Sequence, residues 1–391
     1  MYRRQISFEL EKRLKEERAF IQIVIGPRQT GKTTATKQAL EATGLPYHYV
    51  DADRLRGKIA TQIAVEWDQA RQLTARRGKS ILFIDEVHKV SDWAGTVKAL
   101  WDEDTWNDVP LLVVLSGSSS LLLQKGLSDS LKGRFELLHS THWTFSEMYE
   151  AFDCDFEKFL IRGGYPGAAK LRGDQRWLSY MRDSIIDTTL TQDILQMEDV
   201  RKPALLRSLF DMGAQHSGQE LSYRKILGQL DDKGNTETIA HYLDLLNGAG
   251  MLSGLQKYSA KELVTRRTTP RFMVYDTSFM TATWHGDIKR LLKDSSLYGH
   301  LVESAVGAYL LSRSKVEGFD VCWWRDGDKE VDFVVKKGSQ LVAIEVKSGL
   351  IGDLGGLAEF KRRFPDAHTL IVGSDVVPLE DFLMGGIAIF E

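Results

Sequence analysis

Short apolar runs alternate with longer helical patterns in the first part of the chain. The runs at residues 20–25, 47–50, 80–84 and 111–115 lie between turn residues. They are short enough to be strands buried in a parallel sheet. A glycine-rich loop separates the first run from a helical stretch that begins at residue 33. The pattern therefore predicts a three-layer α/β arrangement over residues 20–140.

The middle of the chain is predicted to be helical, with a winged helix at its end. Residues 150–230 have an amphipathic helical pattern that is broken at residues 163–167. Two short helices followed by two strands have the order of a winged helix. Their predicted spans are residues 222–227, 237–249, 252–258 and 271–275.

A second α/β domain is predicted at the end of the chain. A helix at residues 298–311 comes first, and the elements after it are strands at 321–325, 330–336 and 341–348, a helix at 357–363 and a strand at 369–372. These patterns divide the chain into four predicted regions, with soft boundaries. The regions are residues 1–150, 151–215, 216–284 and 285–391.

Composition narrows the class of protein. The 391 residues carry a net charge of -3, so nucleic-acid contacts are expected only from local patches. The two cysteines, Cys154 and Cys322, are far apart and predict neither a disulfide framework nor a zinc cluster. The sequence shows no apolar signal segment and no run long enough to cross a membrane. We therefore expect a cytoplasmic protein that does not contact the membrane.

The glycine-rich loop fits the Walker A, or P-loop, pattern G-x-x-x-x-G-K-[ST]. Its glycines allow backbone N–H groups to surround a phosphate, and Lys32 neutralises the β and γ oxygens. The hydroxyl of Thr33 is a ligand for Mg²⁺. The strand before the loop and the helix after it distinguish the motif from a simple turn. The predicted ATP-binding residues are Gly26, Pro27, Arg28, Gln29, Thr30, Gly31, Lys32, Thr33 and Thr34.

The run at residues 80–84 ends in two acids and fits the Walker B pattern. Asp85 is predicted to hold Mg²⁺ together with Thr33, and Glu86 to activate the attacking water. The sequence from Asp85 to His88 also resembles a DExH helicase box, but a second helicase lobe is missing. His88 is accordingly expected to be a packed or surface histidine.

Three further residues are candidates for the ATP site. Ser116 or Ser118, at the end of the run 111–115, is placed to sense the γ-phosphate, although a small turn residue has the same pattern. Arg134 is a candidate arginine finger, acting within its own chain or on a neighbouring subunit. A surface arginine with no catalytic role fits equally well. An arginine finger supplied by a neighbour would imply a homo-oligomer.

The end of the chain carries a second candidate site. Side chains alternate along a strand, so Glu345 and Lys347 share a face of the strand at 341–348. Asp332, on the preceding strand, reaches them across a hairpin, and Glu303 on the helix at 298–311 is the fourth member. The pattern fits a metal-dependent PD-(D/E)xK nuclease. Asp332 and Glu345 would bind Mg²⁺, and Lys347 would stabilise developing negative charge. Charges on a half-exposed strand give the same pattern, and such domains also persist as binding modules.

Basic residues are concentrated in the predicted wing. They are Lys257, Lys261, Arg266, Arg267 and Arg271, against a single acid, Glu262. Such a cluster predicts salt-sensitive contacts with DNA phosphates. A solvated hairpin would have the same composition.

Taken together, the motifs resemble the prokaryotic AAA+-type P-loop ATPases that carry a C-terminal domain of unknown function with a restriction-endonuclease-like fold. The resemblance rests on motifs over nearly the whole chain, including residues 26–33, 81–86, 163–166, 330–333 and 344–348. It implies an α/β fold with four parts: an AAA+-type ATPase core, a helical lid, a winged helix and a restriction-endonuclease-like α/β domain. It also assigns ATP to Lys32, Thr33, Asp85 and Glu86, and the nuclease site to Glu303, Asp332, Glu345 and Lys347. Residues 139–143 depart from the family, whose members often have a proline there.

Two functions are consistent with the sequence. The first is an ATP hydrolase coupled to DNA binding, with a metal-dependent nuclease-like domain, for DNA processing or defence. The second is a regulatory ATPase switch that acts on protein partners, with an inactive nuclease-like docking domain. Only the first predicts a DNA cleavage that is lost in Asp332→Ala.

Overall fold

The computed structural model describes residues 1–117, 130–195, 200–229, 235–259, 269–349 and 353–390. These residues form two compact units, Met1–Thr141 and His142–Glu391. The predicted lid, winged helix and nuclease-like regions all lie in the second unit. Among the described residues, no helix is both long enough and apolar enough to cross a membrane.

The N-terminal unit is built on a five-stranded parallel sheet. Its strands have the order β2-β3-β4-β1-β5. They span Ile21–Ile25 (β1), Tyr47–Asp51 (β2), Ser80–Asp85 (β3), Leu111–Gly117 (β4) and Phe135–His139 (β5). The helices are Gln5–Lys15, Lys32–Thr43, Ala60–Arg77 and Trp93–Trp106, with short 3₁₀ turns at Ala52–Arg54, Arg56–Lys58 and Val87–Lys89. The four predicted strands are confirmed, whereas β5 and the first helix were not predicted.

Two hydrophobic clusters cover the two faces of this sheet. Alternate residues of β1 point to opposite faces, so Ile21, Ile23 and Ile25 join one cluster and Val24 joins the other. Full burial of an aliphatic side chain stabilises a fold by about 1.5–3 kcal/mol. The sheet therefore gives a rigid base for the loops that follow the carboxyl ends of its strands.

The C-terminal unit combines a helical part with a six-stranded mixed sheet. Its helices are Phe145–Phe152, Phe156–Arg162, Pro166–Ala169, Asp174–Ser179, Pro203–Gln215, Tyr223–Gln229, Thr236–Gly248, Thr277–Thr283, Ile288–Lys293, Ser295–Glu317, Gly355–Arg363 and Leu379–Leu383. Two π-helical stretches span Tyr180–Asp187 and Thr189–Ile194. The strands are Leu252–Lys257 (β6), Arg271–Val274 (β7), Asp320–Asp326 (β8), Lys329–Lys337 (β9), Gln340–Val346 (β10) and His368–Val372 (β11).

The strand order β11-β10-β9-β8-β6-β7 joins two predicted regions in one sheet. β6 and β7 form the expected antiparallel hairpin, but β6 also pairs in parallel with β8. The hairpin predicted as a wing is therefore the edge of the sheet that carries the carboxylate residues. In this arrangement, the side chain of Arg271 on β7 contacts the long helix Ser295–Glu317 and the strand β9.

Candidate functional site

The P-loop closes tightly around the carboxyl end of β1. Gly31 precedes the helix Lys32–Thr43 with a left-handed φ of 85°, a conformation that glycine adopts without steric cost. Gly26 approaches the end of β5 so closely that an added Cβ would lie 1.8 Å from the carbonyl oxygen of Ser140. Glycine is therefore needed at the two positions for different reasons. Gly31 has a left-handed backbone conformation, and Gly26 has no space for a side chain.

Lys32 is buried at the centre of this loop. Its ammonium donates hydrogen bonds to the carbonyl oxygens of Gly26, at 3.0 Å, and Pro27, at 2.6 Å. The side chain is therefore held over the loop, where a phosphate would neutralise its charge. Backbone N–H groups at a helix start, a lysine and a threonine hydroxyl are the donor set that suits a nucleotide phosphate with Mg²⁺.

Asp85 forms hydrogen bonds with the P-loop and with the neighbouring strand β4. Its Oδ2 accepts a hydrogen bond of 2.6 Å from Thr33 Oγ1, and its Oδ1 accepts one from the buried hydroxyl of Ser116 on the neighbouring strand β4. Glu86 turns out of the sheet with a φ of 54°, and its N–H donates to Asp85 Oδ1 at 3.1 Å. The structure thus brings the predicted residues of both Walker motifs and Ser116 together. Ser118 lies outside the described residues.

His88 lies against Glu86. Its Nε2 is 3.5 Å from a Glu86 carboxylate oxygen. Burial lowers the pKa of His88 to about 4, and the nearby charges of Lys89, Lys32 and Arg28 act in the same direction. The imidazole is therefore neutral at physiological pH. It is a packed histidine, as expected, and it contacts the acid predicted to activate water.

Arg4 supports the P-loop from a position outside both Walker motifs. This buried guanidinium donates to the carbonyl oxygen of Thr30 at 3.2 Å, to Ser140 Oγ at 3.3 Å and to the carbonyl oxygen of Thr141 at 3.1 Å. It therefore ties the loop to the residues after β5. No local signal marks Arg4, because its partners lie 26 to 137 positions away.

The structure does not bring Arg134, a candidate arginine finger for its own chain or a neighbour, to the P-loop of its own chain. In the parallel register, Ile21 faces Phe135 and Ile25 faces His139. The P-loop follows Ile25, so Arg134 lies at the opposite edge of the sheet, about five residues or 15 Å away. Its guanidinium instead makes two bonds to Asp102, at 2.6 and 2.9 Å. A role on a neighbouring subunit stays a prediction.

The second candidate site forms around the pairing of β9 with β10. Asp332 Oδ2 accepts a hydrogen bond of 2.8 Å from the N–H of Val346, and Lys347 Nζ donates to Glu345 Oε1 at 2.8 Å. Glu303 approaches from the helix Ser295–Glu317. Burial and then the charge of Asp332 raise the pKa of Glu303 to about 8. The three residues predicted on strands and Glu303, predicted on the helix, therefore lie in one cluster, which we call the carboxylate cluster.

Arg271 was predicted to contact DNA phosphates, and the structure corrects this. Only 4% of the residue is exposed. Its Nη1 lies 3.4 Å from Glu303 Oε1 and 3.9 Å from Asp332 Oδ1, and its Nη2 pairs with Glu330. The pairing of the β6–β7 hairpin with β8 directs Arg271 inward. Lys257 is half-buried beside the ring of Trp323, and Lys261, Arg266 and Arg267 lie outside the described residues.

The fit of a divalent cation to the carboxylate cluster is partial. Among the described residues, no group of three or more His, Cys, Asp or Glu side chains is arranged to hold a metal ion. Asp332 and Glu345 nevertheless offer the oxygen ligands that Mg²⁺ prefers. Glu345 Oε2 is buried without a hydrogen-bond partner in the described part of the chain. The donor chemistry thus suits a cation, while Arg271 already supplies positive charge to Glu303 and Asp332.

The fold and the first site define a P-loop nucleotide-binding domain. Residues 18–149 match the family model described as AAA domain. The N-terminal unit is therefore an AAA-type ATPase domain, which confirms the predicted ATP-binding core. Residues 154–295 and 298–382 match models described as Domain of unknown function (DUF8612) and Domain of unknown function (DUF4143), which assign no activity to the C-terminal unit.

Two bacterial relatives match most of the chain, and both are described as uncharacterized. An uncharacterized protein of Mycobacterium tuberculosis is 27% identical over 352 residues, which cover 88% of this chain and 74% of the relative. One of Haemophilus influenzae is 23% identical over 347 residues, or 84% and 82% of the two chains. Among solved structures, a Walker-type ATPase of Pyrococcus abyssi aligns with a TM-score of 0.49 and 14% identity, over 72% of this chain and 95% of that one.

Proposed function

We propose that this protein couples ATP binding and hydrolysis to DNA binding, and that its C-terminal unit carries a metal-dependent nuclease-like site for DNA processing or defence. The observation that supports the nuclease-like part is the meeting of Glu303, Asp332, Glu345 and Lys347 from one helix and two strands. An acid pair with a lysine beside it is a donor set that suits metal-assisted phosphodiester cleavage.

In the ATPase site, each residue has a separate task. Lys32 and the loop N–H groups hold the phosphates, and Thr33 and Asp85 would hold the Mg²⁺. When bound, Mg²⁺ would neutralise charge between the β- and γ-phosphates. Glu86 accepts the proton of the attacking water. Ser116 keeps Asp85 in place from the adjacent strand and so links the γ-phosphate side of the site to the sheet.

In the carboxylate cluster, Asp332 and Glu345 would hold the Mg²⁺. Bound there, the metal would polarise the scissile phosphate. The hydrogen bond from the N–H of Val346 fixes the orientation of Asp332, and Lys347 supplies positive charge at Glu345. Lys257, Lys261, Arg266 and Arg267 are the remaining candidates for DNA phosphate contacts. Their contribution predicts a DNA affinity that decreases steeply with salt.

The first experiment is cleavage of linear, branched and single-stranded DNA with Mg²⁺ or Mn²⁺, with and without ATP. Asp332→Ala should abolish cutting, whereas Asp328→Ala, whose side chain is 90% exposed in the neighbouring turn, should not. An ATP effect on cutting or on DNA affinity should be lost in Lys32→Ala. Absence of cutting on every substrate, by the wild type and by Arg271→Gln alike, would exclude the nuclease part, and salt-insensitive DNA affinity would exclude the proposed contacts.

A second candidate function is a regulatory ATPase switch that acts on protein partners. Arg271 favours it, since a buried guanidinium beside Glu303 and Asp332 lets the cluster exist without metal as a docking module. This candidate predicts unchanged partner binding in Asp332→Ala and no DNA cleavage. Homo-oligomerisation is proposed with either function, and Arg134→Ala should then lower ATP hydrolysis only where subunits associate.

A further inference from the structure

Arg271 lies inside the carboxylate cluster, although its backbone belongs to β7 at the edge of the sheet. Its guanidinium approaches acids on two elements: Glu303 on the helix Ser295–Glu317, and Glu330 and Asp332 on β9. It also donates to the backbone carbonyl oxygen of Asp332 at 3.2 Å. The guanidinium is thus fixed to the residue that the nuclease pattern requires as a metal ligand.

The surroundings hold this cation in one place. The guanidinium carbon lies 5.2 Å from the centre of the buried Trp323 ring, a distance at which the ring face attracts a cation. Arg271 Nε is buried and has no hydrogen-bond partner among the described residues. A buried charge is stable only when it is paired, so the acids around Arg271 are needed for its burial. Conversely, Arg271 lowers the repulsion between those acids.

A divalent cation would use the same acids. A metal bound through Asp332 would lie close to the guanidinium, and like charges repel strongly where water is excluded. The two cations therefore compete for one set of negative charges. Glu345 Oε2 has no hydrogen-bond partner among the described residues, so this second acid has capacity left for a ligand.

We propose that Arg271 is an internal counter-cation that keeps the carboxylate cluster closed to divalent metal ions until its side chain withdraws. The proposal rests on the proposed function, because it concerns the same acids. It adds that the cluster described here is in a metal-excluding state.

The test measures metal binding directly, with Tb³⁺ as the probe and its tryptophan-sensitised luminescence as the readout. The full chain without nucleotide is titrated as wild type, Arg271→Gln and Arg325→Gln. Each is compared with the same chain carrying Asp332→Asn, so that only signal from the carboxylate cluster is counted. Arg325 is the matched control, because it also pairs with Glu330 and lies 5.7 Å from the Trp323 ring, but its ion-pair partners are Glu220 and Glu330 rather than Asp332.

Arg271→Gln should bind Tb³⁺ at least about tenfold more tightly than the wild type, and Arg325→Gln should not. Equal or weaker binding by Arg271→Gln would overturn the proposal, as would an equal gain in Arg325→Gln. Retained ATP hydrolysis and an unchanged circular dichroism spectrum serve as the folding check. If Arg271→Gln does not fold, Arg271→Met removes the same charge, keeps the aliphatic bulk beside the Trp323 ring and should also bind Tb³⁺ more tightly than the wild type. No gain there would likewise overturn the proposal.

Cleavage assays on the same variants separate this proposal from the proposed function. Tighter Tb³⁺ binding by Arg271→Gln with no Mg²⁺-dependent cutting by any variant would support the counter-cation and exclude the nuclease. Cutting by the wild type, with metal affinity unchanged in Arg271→Gln, would support the nuclease and exclude the counter-cation.

Discussion

The hydroxyl of Thr33 donates a hydrogen bond of 2.6 Å to Oδ2 of Asp85, across 52 positions of sequence. This contact joins the last residue of the P-loop to the acid that ends β3. Asp85 also accepts from Ser116, so both of its oxygens are oriented before any nucleotide binds. The sheet therefore preorganises the ATPase site. We expect some substitutions in the site to change ATP affinity and others to change the rate of hydrolysis.

Glu86→Gln should retain ATP binding and lose hydrolysis. Glutamine keeps the shape of the side chain but accepts no proton from water, and loss of a general base costs about 10²-fold to 10⁴-fold in rate. Asp92→Asn is the matched control, because Asp92 has a similar left-handed backbone with a φ of 52°. Steady-state kinetics and fluorescent ATP binding measure the two effects. A normal turnover rate in Glu86→Gln would exclude Glu86 as the base.

Arg4→Gln should weaken ATP binding more than it lowers turnover. The guanidinium holds the Thr30 carbonyl, and a lost hydrogen bond from a charged group corresponds to about a tenfold or greater change in the dissociation constant. Arg3→Gln is the control, because Arg3 pairs with Glu11 and Ser7 on the first helix instead. Calorimetric titration with ATP measures the dissociation constant of each variant. Equal affinities for Arg4→Gln and Arg3→Gln would contradict a role for Arg4 in positioning the loop.

Gly163→Ala should destabilise the C-terminal unit by about 3 kcal/mol, from a left-handed backbone and a clash together. Gly163 has a φ of 65°, and a Cβ there would lie 1.7 Å from Oδ1 of Asp276. Gly173→Ala isolates the backbone contribution, because Gly173 has a φ of 81° with nothing within 4 Å. It should cost only about 1 kcal/mol. Urea denaturation measures the free energy of unfolding of both variants. Equal decreases in the two variants would show that the structure accommodates the added methyl group beside Asp276 without a loss of stability.

His88 should make the N-terminal unit less stable in mild acid. The pKa of its ring is lowered from 6.5 to about 4 in the fold, so folding favours the neutral form. The contribution is complete above pH 6.5 and is lost as the pH falls toward 4, by up to about 3 kcal/mol. Urea denaturation at pH 7, 6 and 5 should show this loss in the wild type and a flatter profile in His88→Gln. Replacing the exposed His285 with Gln should leave the profile unchanged, and identical profiles in all three proteins would contradict the prediction.

The sequence predicted those parts of the two sites that depend on local order. Lys32 and Thr33 follow a strand and begin a helix, and Asp85 ends a strand, so contiguous motifs place them. Glu345 and Lys347 share a strand face because side chains alternate along a strand. Arg4 and Arg271 could not be found in this way. Their partners are far away in sequence, and their chemistry depends on which strands pair.

Arg134 and Arg271 show most clearly what could not be predicted from the sequence. In sequence, Arg134 is an arginine after a glycine turn, and Arg271 is one of several basic residues in a predicted hairpin. The register of β5 against β1 places Arg134 at the edge away from the nucleotide, and the pairing of β6 with β8 turns Arg271 into the acids. Neither pairing has a local signal.

The sequence by itself determined the ATP-binding core with four of its five strands, and it indicated the acids and lysines of both candidate sites. These follow from short motifs and from periodicity, which involve neighbours in the chain. The tertiary structure decided which cations meet which acids. Strand order and register are set by packing between distant segments, and a shift of one position reverses the direction of every side chain on a strand.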